Sequence, residues 1–326
     1  MADGSNRQGT TVAHANSNLT FPYRRIILCV KKIHASKHTA TQSAHRILLV
    51  SLATLLVGCA STGHSPDLEE SICGWPREPI VFALWNRLAG KADPGRANAV
   101  ANAESITYRT RDGRVLRGYK LASTAADGVV AGKLLVAQGN AMLSDRLLSS
   151  LNGFTEAGLE VFIFDYRGYG NSEGKRRLKA IVSDYREMAA RLTESDGGLR
   201  LLYGISFGGV VMLNVIGSGA EYDRAVIDST PSRISGLGCP WQYDPAANLT
   251  SDASRILVLA GERDTVVPVR DSAELLARAS ELGARSELHS EYAHPFMDRD
   301  INIHRARLAL IRSFLLESRA NAPDGR

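Results

Sequence analysis

Gly204-Ile205-Ser206-Phe207-Gly208 is a G-x-S-x-G pentapeptide that lies between two different kinds of apolar sequence. The mostly apolar run Leu199–Tyr203 precedes it and predicts a strand, while the run Val210–Ile216 follows it and predicts a helix. A sharp turn from strand to helix exposes the hydroxyl of a serine at its tip, and glycine on either side removes the Cβ atoms that would clash there. Ser206 is therefore the candidate nucleophile.

A histidine is needed to accept the proton of Ser206, because a serine hydroxyl is a poor nucleophile at neutral pH. The histidines that follow it are His289, His294 and His304. His289 lies in the alternating run Ser286–Tyr292, which predicts a strand, and His304 lies in the periodic run Ile301–Leu316, which predicts the C-terminal helix. His294 lies in the loop between them, where catalytic groups gather in open parallel sheets. We predict His294 as the base, with a structural loop histidine as the alternative.

Two aspartates at predicted strand ends are candidates for the acid that orients this histidine. Asp264 follows the apolar run Ile256–Ala260, in a loop that begins with glycine and ends with proline. Such a rigid turn can hold one side chain still, although an exposed turn carboxylate is the simpler interpretation. Asp228 follows the shorter run Ala225–Ile227. We favour Asp264 because its place between Ser206 and the histidine gives the chain order serine, acid, histidine.

Five segments match a known family in the same order: QGNA at Gln138–Ala141, FDYRGYGNSEG at Phe164–Gly174, GISFG at Gly204–Gly208, YDP at Tyr243–Pro245 and GERDTVVP at Gly261–Pro268. With them the chain resembles the α/β-hydrolases, in the branch of serine aminopeptidase-like and monoacylglycerol lipase-like enzymes, over roughly residues 104 to 318. The resemblance implies an α/β-hydrolase fold, a doubly wound and mostly parallel sheet with an N-terminal antiparallel hairpin. It also implies a Ser-His-Asp triad.

The resemblance further implies an oxyanion hole made by the backbone N–H groups of Phe207 and Asn140. Phe207 directly follows the nucleophile at a predicted helix N-terminus, where the helix dipole favours an anion. In the family the segment after the third strand normally reads HGN, and Gln138 stands here in place of that histidine. Glutamine also donates and accepts hydrogen bonds. The loop Phe164–Gly174 is interpreted as shaping the rim of the site.

The order of the predicted elements fits one catalytic domain. Ser105–Thr110 and Val115–Leu121 flank Arg111-Asp112-Gly113-Arg114, which predicts a hairpin. Strands then alternate with helices, which predicts a parallel core; the segments are Lys133–Ala137, a helix near Ser144–Ala157, Glu160–Phe164, a helix near Leu178–Ser195, and Leu199–Tyr203. Pro, Gly, Trp and Asn interrupt Pro231–Asn248 and leave few residues for a lid.

The front of the chain predicts export and a lipid anchor. Ile47–Val57 is an apolar run that is too short to span a bilayer but suits the core of a signal peptide. Leu56-Val57-Gly58-Cys59 resembles a bacterial lipoprotein box, in which Cys59 becomes the lipidated first residue. An ordinary buried strand or a conventional signal peptide is the alternative. Ala60 after the cysteine resembles the sorting signal for the outer membrane, facing the periplasm.

These patterns divide the chain into three parts: an N-terminal extension and signal peptide over residues 1–58, an anchor tether and helix over 59–103, and the catalytic domain over 104–320. Ala60–Glu78 predicts a tether because Ser, Gly and Pro recur throughout it. Beyond it, helical spacing of apolar residues predicts a helix that packs on the core, with a membrane-surface helix as the alternative. The predicted apolar side of that helix consists of Ile80, Val81, Leu84, Trp85 and Leu88.

Charge and composition exclude some classes of partner. Seven of the 39 basic residues but only one of the 34 acidic residues lie within residues 1–58, so the remaining chain carries a net charge of −1. No basic stripe with interleaved aromatic residues suggests nucleic-acid binding. No metal or cofactor is expected, since the sequence contains neither HExxH nor CxxC. Once Cys59 is acylated and Cys29 is removed, Cys73 and Cys239 remain, either as a disulfide or as two free thiols.

The sequence therefore predicts a membrane-tethered serine hydrolase that cleaves carboxylic esters of small molecules or lipids through an acyl-enzyme. Two alternatives remain open. One is an amidase or serine aminopeptidase that uses the same triad, since one scaffold serves several acyl substrates. The other is a binding lipoprotein that keeps the fold without catalysis. Its one sign in the sequence is Gln138, which replaces the histidine that the family normally has.

Overall fold

The computed structural model describes residues 67–193 and 198–317. Their centre is an eight-stranded sheet in the order β1-β2-β4-β3-β5-β6-β7-β8. The strands are β1 Ala103–Arg109, β2 Val115–Leu121, β3 Gly132–Ala137, β4 Leu159–Phe164, β5 Leu199–Ile205, β6 Arg224–Asp228, β7 Ile256–Gly261 and β8 Arg285–His289. β2 pairs antiparallel with both β1 and β4, and the pairs from β4 to β8 are parallel. The predicted fold class is confirmed.

Helices cover both faces of this sheet. They are α1 Arg77–Ala89, α2 Pro94–Asn98, α3 Leu148–Thr155, α4 Leu178–Thr193, α5 Phe207–Gly217, α6 Val269–Glu281 and α7 Ile301–Leu316. Successive side chains of a strand point to opposite faces. In β3, accordingly, Leu135 and Ala137 join the core under α1, α4, α5 and α6, while Leu134 and Val136 join the core under α3 and α7. Burial on both faces explains why the central strands read as continuous apolar runs.

Two predicted elements differ in the structure. The helix predicted near Ser144–Ala157 starts with a separate 3-10 turn, because the carboxylate of Asp165 accepts hydrogen bonds from both the N–H and the hydroxyl of Ser144, each at 2.8 Å. The strand predicted to reach Tyr292 ends at His289. The two rings stack 4.1 Å apart across the turn that follows.

The segment between β6 and β7 carries little that could act as a lid. Its regular structure consists of three 3-10 turns of three or four residues each: Ser235–Leu237, Trp241–Tyr243 and Pro245–Asn248. This agrees with the predicted fold class, in which little or no lid covers the sheet edge.

The N-terminal part of the described chain is held against the rest of the described fold instead of forming a free tether. The buried carboxylate of Glu69 pairs with Arg114 at 3.1 Å and with Arg167 at 3.4 Å. Glu78 is also buried and accepts a hydrogen bond from the N–H of Leu178 at 2.8 Å. Within residues 67–193 and 198–317, no helix is long and apolar enough to cross a membrane. The predicted signal run Ile47–Val57 and the predicted anchor at Cys59 lie outside the described residues.

Helix α1 packs through a side that overlaps only in part with the predicted one, of which three of five residues are half-buried. Its buried residues are Glu78, Phe82 and Ala89, with Trp85 half-buried beside them. Ile80 and Leu84 of the predicted side are exposed. The reason is that Phe82 finds an aromatic partner far along the chain, Phe207, which helical spacing within α1 does not reveal.

Candidate active site

Ser206 occupies a strained turn between β5 and α5. Its φ of 55° is unusual for a residue with a side chain, and such strain is concentrated at functional sites. The flanking glycines are needed for space: a Cβ on Gly208 would lie 1.9 Å from the carbonyl oxygen of Ala137, and a Cβ on Gly204 would lie 2.6 Å from the carbonyl oxygen of Gly208. The sequence pattern therefore corresponds to a close approach of strand, turn and helix at the serine.

His294 and Asp264 form a buried hydrogen-bonded pair. Nδ1 of His294 lies 2.8 Å from Oδ2 of Asp264, and both residues are buried. The other carboxylate oxygen, Oδ1, accepts the N–H groups of Val266 and Val267 at 2.8 Å each. Burial alone would raise the pKa of Asp264, but the contact with His294 and the two amides outweigh it and lower that pKa below its ordinary value. The acid is thereby kept ionised and fixed in orientation.

The strand register brings these residues to one edge of the sheet. Ile205, which precedes Ser206, pairs with Asp228 of β6. Gly261 at the end of β7 pairs with His289 at the end of β8. Because β5 to β8 are parallel neighbours, Ser206 and the loops that carry Asp264 and His294 all follow carboxyl ends at this edge.

Asp228, the alternative acid, is paired elsewhere. Its carboxylate is fully buried and accepts hydrogen bonds from Arg307 at 2.6 and 3.1 Å and from the hydroxyl of Tyr203 at 3.1 Å. Arg307 also donates to the carbonyl of Ala293, the residue before His294, at 2.8 Å. Asp228 thus supports the loop of the candidate base from behind and has no contact with its ring among the described hydrogen bonds.

The loop after β3 passes beside the candidate nucleophile. A Cβ on Gly139 would lie only 3.7 Å from the Cβ of Ser206. Asn140, the next residue, is a predicted oxyanion donor, and Phe207, the other one, is the first residue of α5. A helix N-terminus carries unpaired N–H groups and a partial positive charge, which suits an oxyanion.

Gln138 makes hydrogen bonds through both its side chain and its backbone carbonyl. Its Nε2 donates to the carbonyl of Phe164 at 2.9 Å, and its own carbonyl accepts the hydroxyl of Tyr166. Tyr169 donates to Oδ1 of Asn140 at 3.2 Å. The predicted rim loop therefore does more than shape a rim, because its tyrosines hold the loop of Asn140. The amide in place of the family's histidine keeps a donor at this position.

Sequence reasoning missed four residues that hold the site: Asp165, Tyr166, Tyr169 and Arg307. The first three lie in the segment Phe164–Gly174, where two tyrosines and an aspartate directly after a buried strand are a signal that could have found them. Arg307 gave no comparable signal, because a charged residue on a predicted amphipathic helix normally faces solvent.

The buried Asp165 predicts a pH dependence of stability. Burial raises its pKa from 3.8 to about 6, against the lowering effect of the hydrogen bonds from Ser144. Because the pKa of Asp165 is raised in the folded protein, its protonation stabilises the fold fully below pH 3.8. This stabilisation is lost as the pH rises through about 6. We expect Asp165→Asn to raise the free energy of unfolding at pH 7 by up to roughly 3 kcal/mol and to flatten its dependence between pH 4 and 6.

Urea titrations from pH 4 to 7 measure this effect. Asp127→Asn, at an exposed loop carboxylate, is the matched control and should leave the pH profile unchanged. A wild-type slope that survives in Asp165→Asn would contradict the assignment.

Cys73 and Cys239 are joined by a disulfide across 166 residues. It connects the segment before α1 to the segment between β6 and β7. Within the described residues, no group of three or more His, Cys, Asp or Glu side chains could hold a metal ion.

An aromatic cluster lies beside the candidate nucleophile. The ring centroid of Phe207 is 5.6 Å from that of Phe82, 6.2 Å from that of Trp85 and 5.5 Å from that of Tyr166. Two of these rings come from α1, so the N-terminal helix forms part of the surroundings of the site.

Comparison with known proteins agrees with this architecture. A family model described as serine aminopeptidase S33 matches residues 128–236. The uncharacterised protein YfhR of Escherichia coli is 28% identical over 226 residues, which are 64% of this chain and 79% of that protein. An uncharacterised protein of Mycobacterium tuberculosis is 27% identical over 245 residues, which are 69% of this chain and 83% of that protein.

Solved structures share the fold at low identity. An esterase of Pyrococcus furiosus, Pf2001, superposes with a TM-score of 0.54 at 17% identity and covers 70% of this chain and 96% of its own. A serine hydrolase without lid from Xanthomonas campestris gives 0.52 at 19% identity, covering 67% and 97%. An α/β-hydrolase of Vibrio vulnificus gives 0.55 at 16%, covering 71% and 93%. This chain thus has the fold of the α/β-hydrolases, and part of it is similar to the serine aminopeptidase S33 family.

Proposed function

We propose that this protein is a membrane-tethered serine hydrolase that cleaves carboxylic esters, with Ser206, His294 and Asp264 as its triad. The observation that carries the proposal is the buried 2.8 Å contact of Asp264 with Nδ1 of His294, on the sheet edge where the strained Ser206 ends its strand. A carboxylate on Nδ1 fixes the tautomer that leaves Nε2 free to accept a proton.

The reaction runs through an acyl-enzyme. The hydroxyl oxygen of Ser206 attacks the acyl carbonyl while Nε2 of His294 takes its proton, and Asp264 stabilises the imidazolium. The N–H groups of Phe207 and Asn140 bind the oxyanion. Collapse breaks the bond to the alcohol, which leaves with the proton from His294. Water, deprotonated by His294, then attacks the acyl-serine and releases the acid and the free hydroxyl of Ser206.

The similarity to a solved structure described as an esterase favours esters over amides as substrates. The similarity to a family described as serine aminopeptidase favours the peptidase alternative. A panel of p-nitrophenyl acyl esters and aminoacyl anilides, measured at equal concentration, separates them. We expect turnover of the esters and at least about 100-fold lower kcat/KM for the anilides. Preferential turnover of the anilides, abolished in Ser206→Ala, would assign a peptidase and refute the ester proposal.

The proposed localisation is the bacterial cell envelope, at the outer membrane facing the periplasm. Its support is the sequence of the front part: an apolar run ending in Leu56-Val57-Gly58-Cys59, followed by Ala60. A diacylglyceryl thioether on Cys59 together with an amide-linked chain provides more than one acyl group, which stable attachment requires. The disulfide of Cys73 with Cys239 suits an oxidising periplasm.

The anchor predicts the behaviour of a cysteine variant. Expressed in a Gram-negative host, the full-length protein should incorporate labelled palmitate and sediment with outer membranes, whereas Cys59→Ser should lose the label because no thiol is left to acylate. Cys29→Ser is the matched control and should keep the label. A wild-type protein with an unmodified Cys59 would contradict the anchor and leave the proposed ester hydrolysis untouched.

A further inference from the structure

Large apolar side chains are exposed mainly in one place on the described residues. Nine such side chains are exposed, and five of them lie on two short segments, 75–84 and 237–241: Trp75, Ile80, Leu84, Leu237 and Trp241. Trp75 is 80% exposed, Trp241 65% and Ile80 62%. Single exposed apolar residues are ordinary, but a group of this size marks an interaction surface. We call these five residues the apolar surface.

Covalent and hydrogen-bonded links bring the two segments together. The disulfide joins Cys73 to Cys239, each two residues before one of the exposed tryptophans. Nη1 of Arg77 also donates to the carbonyl of Leu237 at 2.7 Å. Ile80 and Leu84 are four residues apart, so they lie on one side of α1. The apolar surface is therefore a fixed feature of the fold.

Helix α1 is amphipathic in an unusual way, since it is apolar on two sides. Its buried side, with Phe82, contacts the ring of Phe207, the residue after Ser206. Its other side contributes Ile80 and Leu84 to the apolar surface. An α-helix with its side chains is about 10–12 Å across. The apolar surface thus lies on the order of one helix diameter from the neighbour of the candidate nucleophile.

We propose that the apolar surface docks into the interface of a phospholipid bilayer, an inference that rests on the proposed lipid anchor. Asp67, the first described residue, follows Cys59 by eight residues, which span at most about 29 Å when fully extended. A surface on this same N-terminal part of the domain is held close to lipid by that connection, and the high effective concentration makes even weak apolar contacts sufficient. Tryptophan is the residue that membrane interfaces favour.

Tryptophan fluorescence tests the docking directly, because the chain has three tryptophans, Trp75, Trp85 and Trp241, and none in residues 1–66. The lipid-anchored protein, purified from the membranes of a Gram-negative host, is reconstituted in phosphatidylcholine vesicles with or without brominated acyl chains, which quench nearby indoles. We expect a shift of emission to shorter wavelength and about twofold quenching by the brominated lipid. Trp75→Phe/Trp241→Phe should lose most of the quenchable emission while hydrolysing a soluble ester at the wild-type rate.

A tryptophan placed elsewhere is the matched control. Leu288→Trp, added to Trp75→Phe/Trp241→Phe, puts an indole at another exposed apolar position, on β8, and should not be quenched. Equal quenching of this indole, or no quenching while the wild-type protein floats with the vesicles, would overturn the docking but leave the anchor intact. Emission that is already shifted, and shielded from acrylamide, in the absence of vesicles would also overturn the docking. It would assign the apolar surface to a contact with residues 59–66 or, if dilution reverses the shielding, to a second copy.

Discussion

Ser206→Ala and His294→Ala are each expected to lower kcat for an ester substrate by at least about 10⁴-fold, and the double variant should be little worse than either single one. The reason is that the serine loses its nucleophilicity when the base is absent, and the base has nothing to activate when the serine is absent. Their effects therefore overlap almost completely. Steady-state kinetics with a p-nitrophenyl ester measures all three variants.

Control variants separate this effect from general damage. Ser218→Ala, at the other end of α5, and His289→Ala, at the end of β8, should each keep nearly the wild-type rate. Losses that multiply in the double variant would contradict a shared proton transfer. Wild-type activity in Ser206→Ala would remove the serine from the mechanism.

The second large expected effect is that of Asp264→Asn on kcat, and it distinguishes Asp264 from Asp228. Asp264→Asn keeps the shape of the side chain but removes the charge that stabilises the imidazolium and selects its tautomer, so kcat should fall by about 10³- to 10⁴-fold. The midpoint of unfolding should change little by comparison. Kinetics and urea unfolding on the same preparations measure both quantities.

Asp228→Asn should lower the stability of the protein more than its activity. The carboxylate of Asp228 makes the shorter of two ion pairs of the buried Arg307, at 2.6 Å against 3.6 Å for Asp298, so removing its charge should cost up to about 3–5 kcal/mol of stability. The rate of the protein that remains folded should fall far less than in Asp264→Asn, because Asp228 acts on His294 only through Arg307 and the carbonyl of Ala293. A reversed result would show that the acid was assigned to the wrong strand.

Local patterns in the sequence were sufficient for much of the fold. The bounds of β2 at Val115–Leu121 and of α7 at Ile301–Leu316 agree with the predicted ones. In α7 a regular apolar spacing follows an aspartate, Asp300, whose side chain accepts the N–H of Asn302 and caps the helix. Where the signal for an element is complete within a few neighbouring residues, its position can be read without the rest of the chain.

Features that depend on distant partners could not be read in this way. The packing side of α1 is decided by Phe207, which lies 125 residues beyond Phe82 in the chain. The role of Arg307 depends on Asp228, which is 79 residues away. In both cases the local sequence is compatible with either a buried or an exposed side chain, and the contact with a distant residue decides which one occurs.

The candidate site lies between these extremes. Ser206 carries a local signature, and the register of parallel strands then places the ends of β7 and β8 at the same edge. The identity of the acid required chain order and resemblance, since both aspartates follow buried strands. The support around Gln138 from Tyr166 and Tyr169 required the structure.

Labelling with a fluorophosphonate tests the central claim most directly, because this reagent reacts only with a serine that a neighbouring base activates. The full-length protein is incubated with the probe and digested, and the modified peptide is mapped by mass spectrometry. We predict stoichiometric labelling at Ser206, lost in His294→Ala and strongly slowed in Asp264→Asn. A folded wild-type protein that stays unlabelled, or that is labelled at another serine, would contradict the triad and favour a binding lipoprotein with this fold.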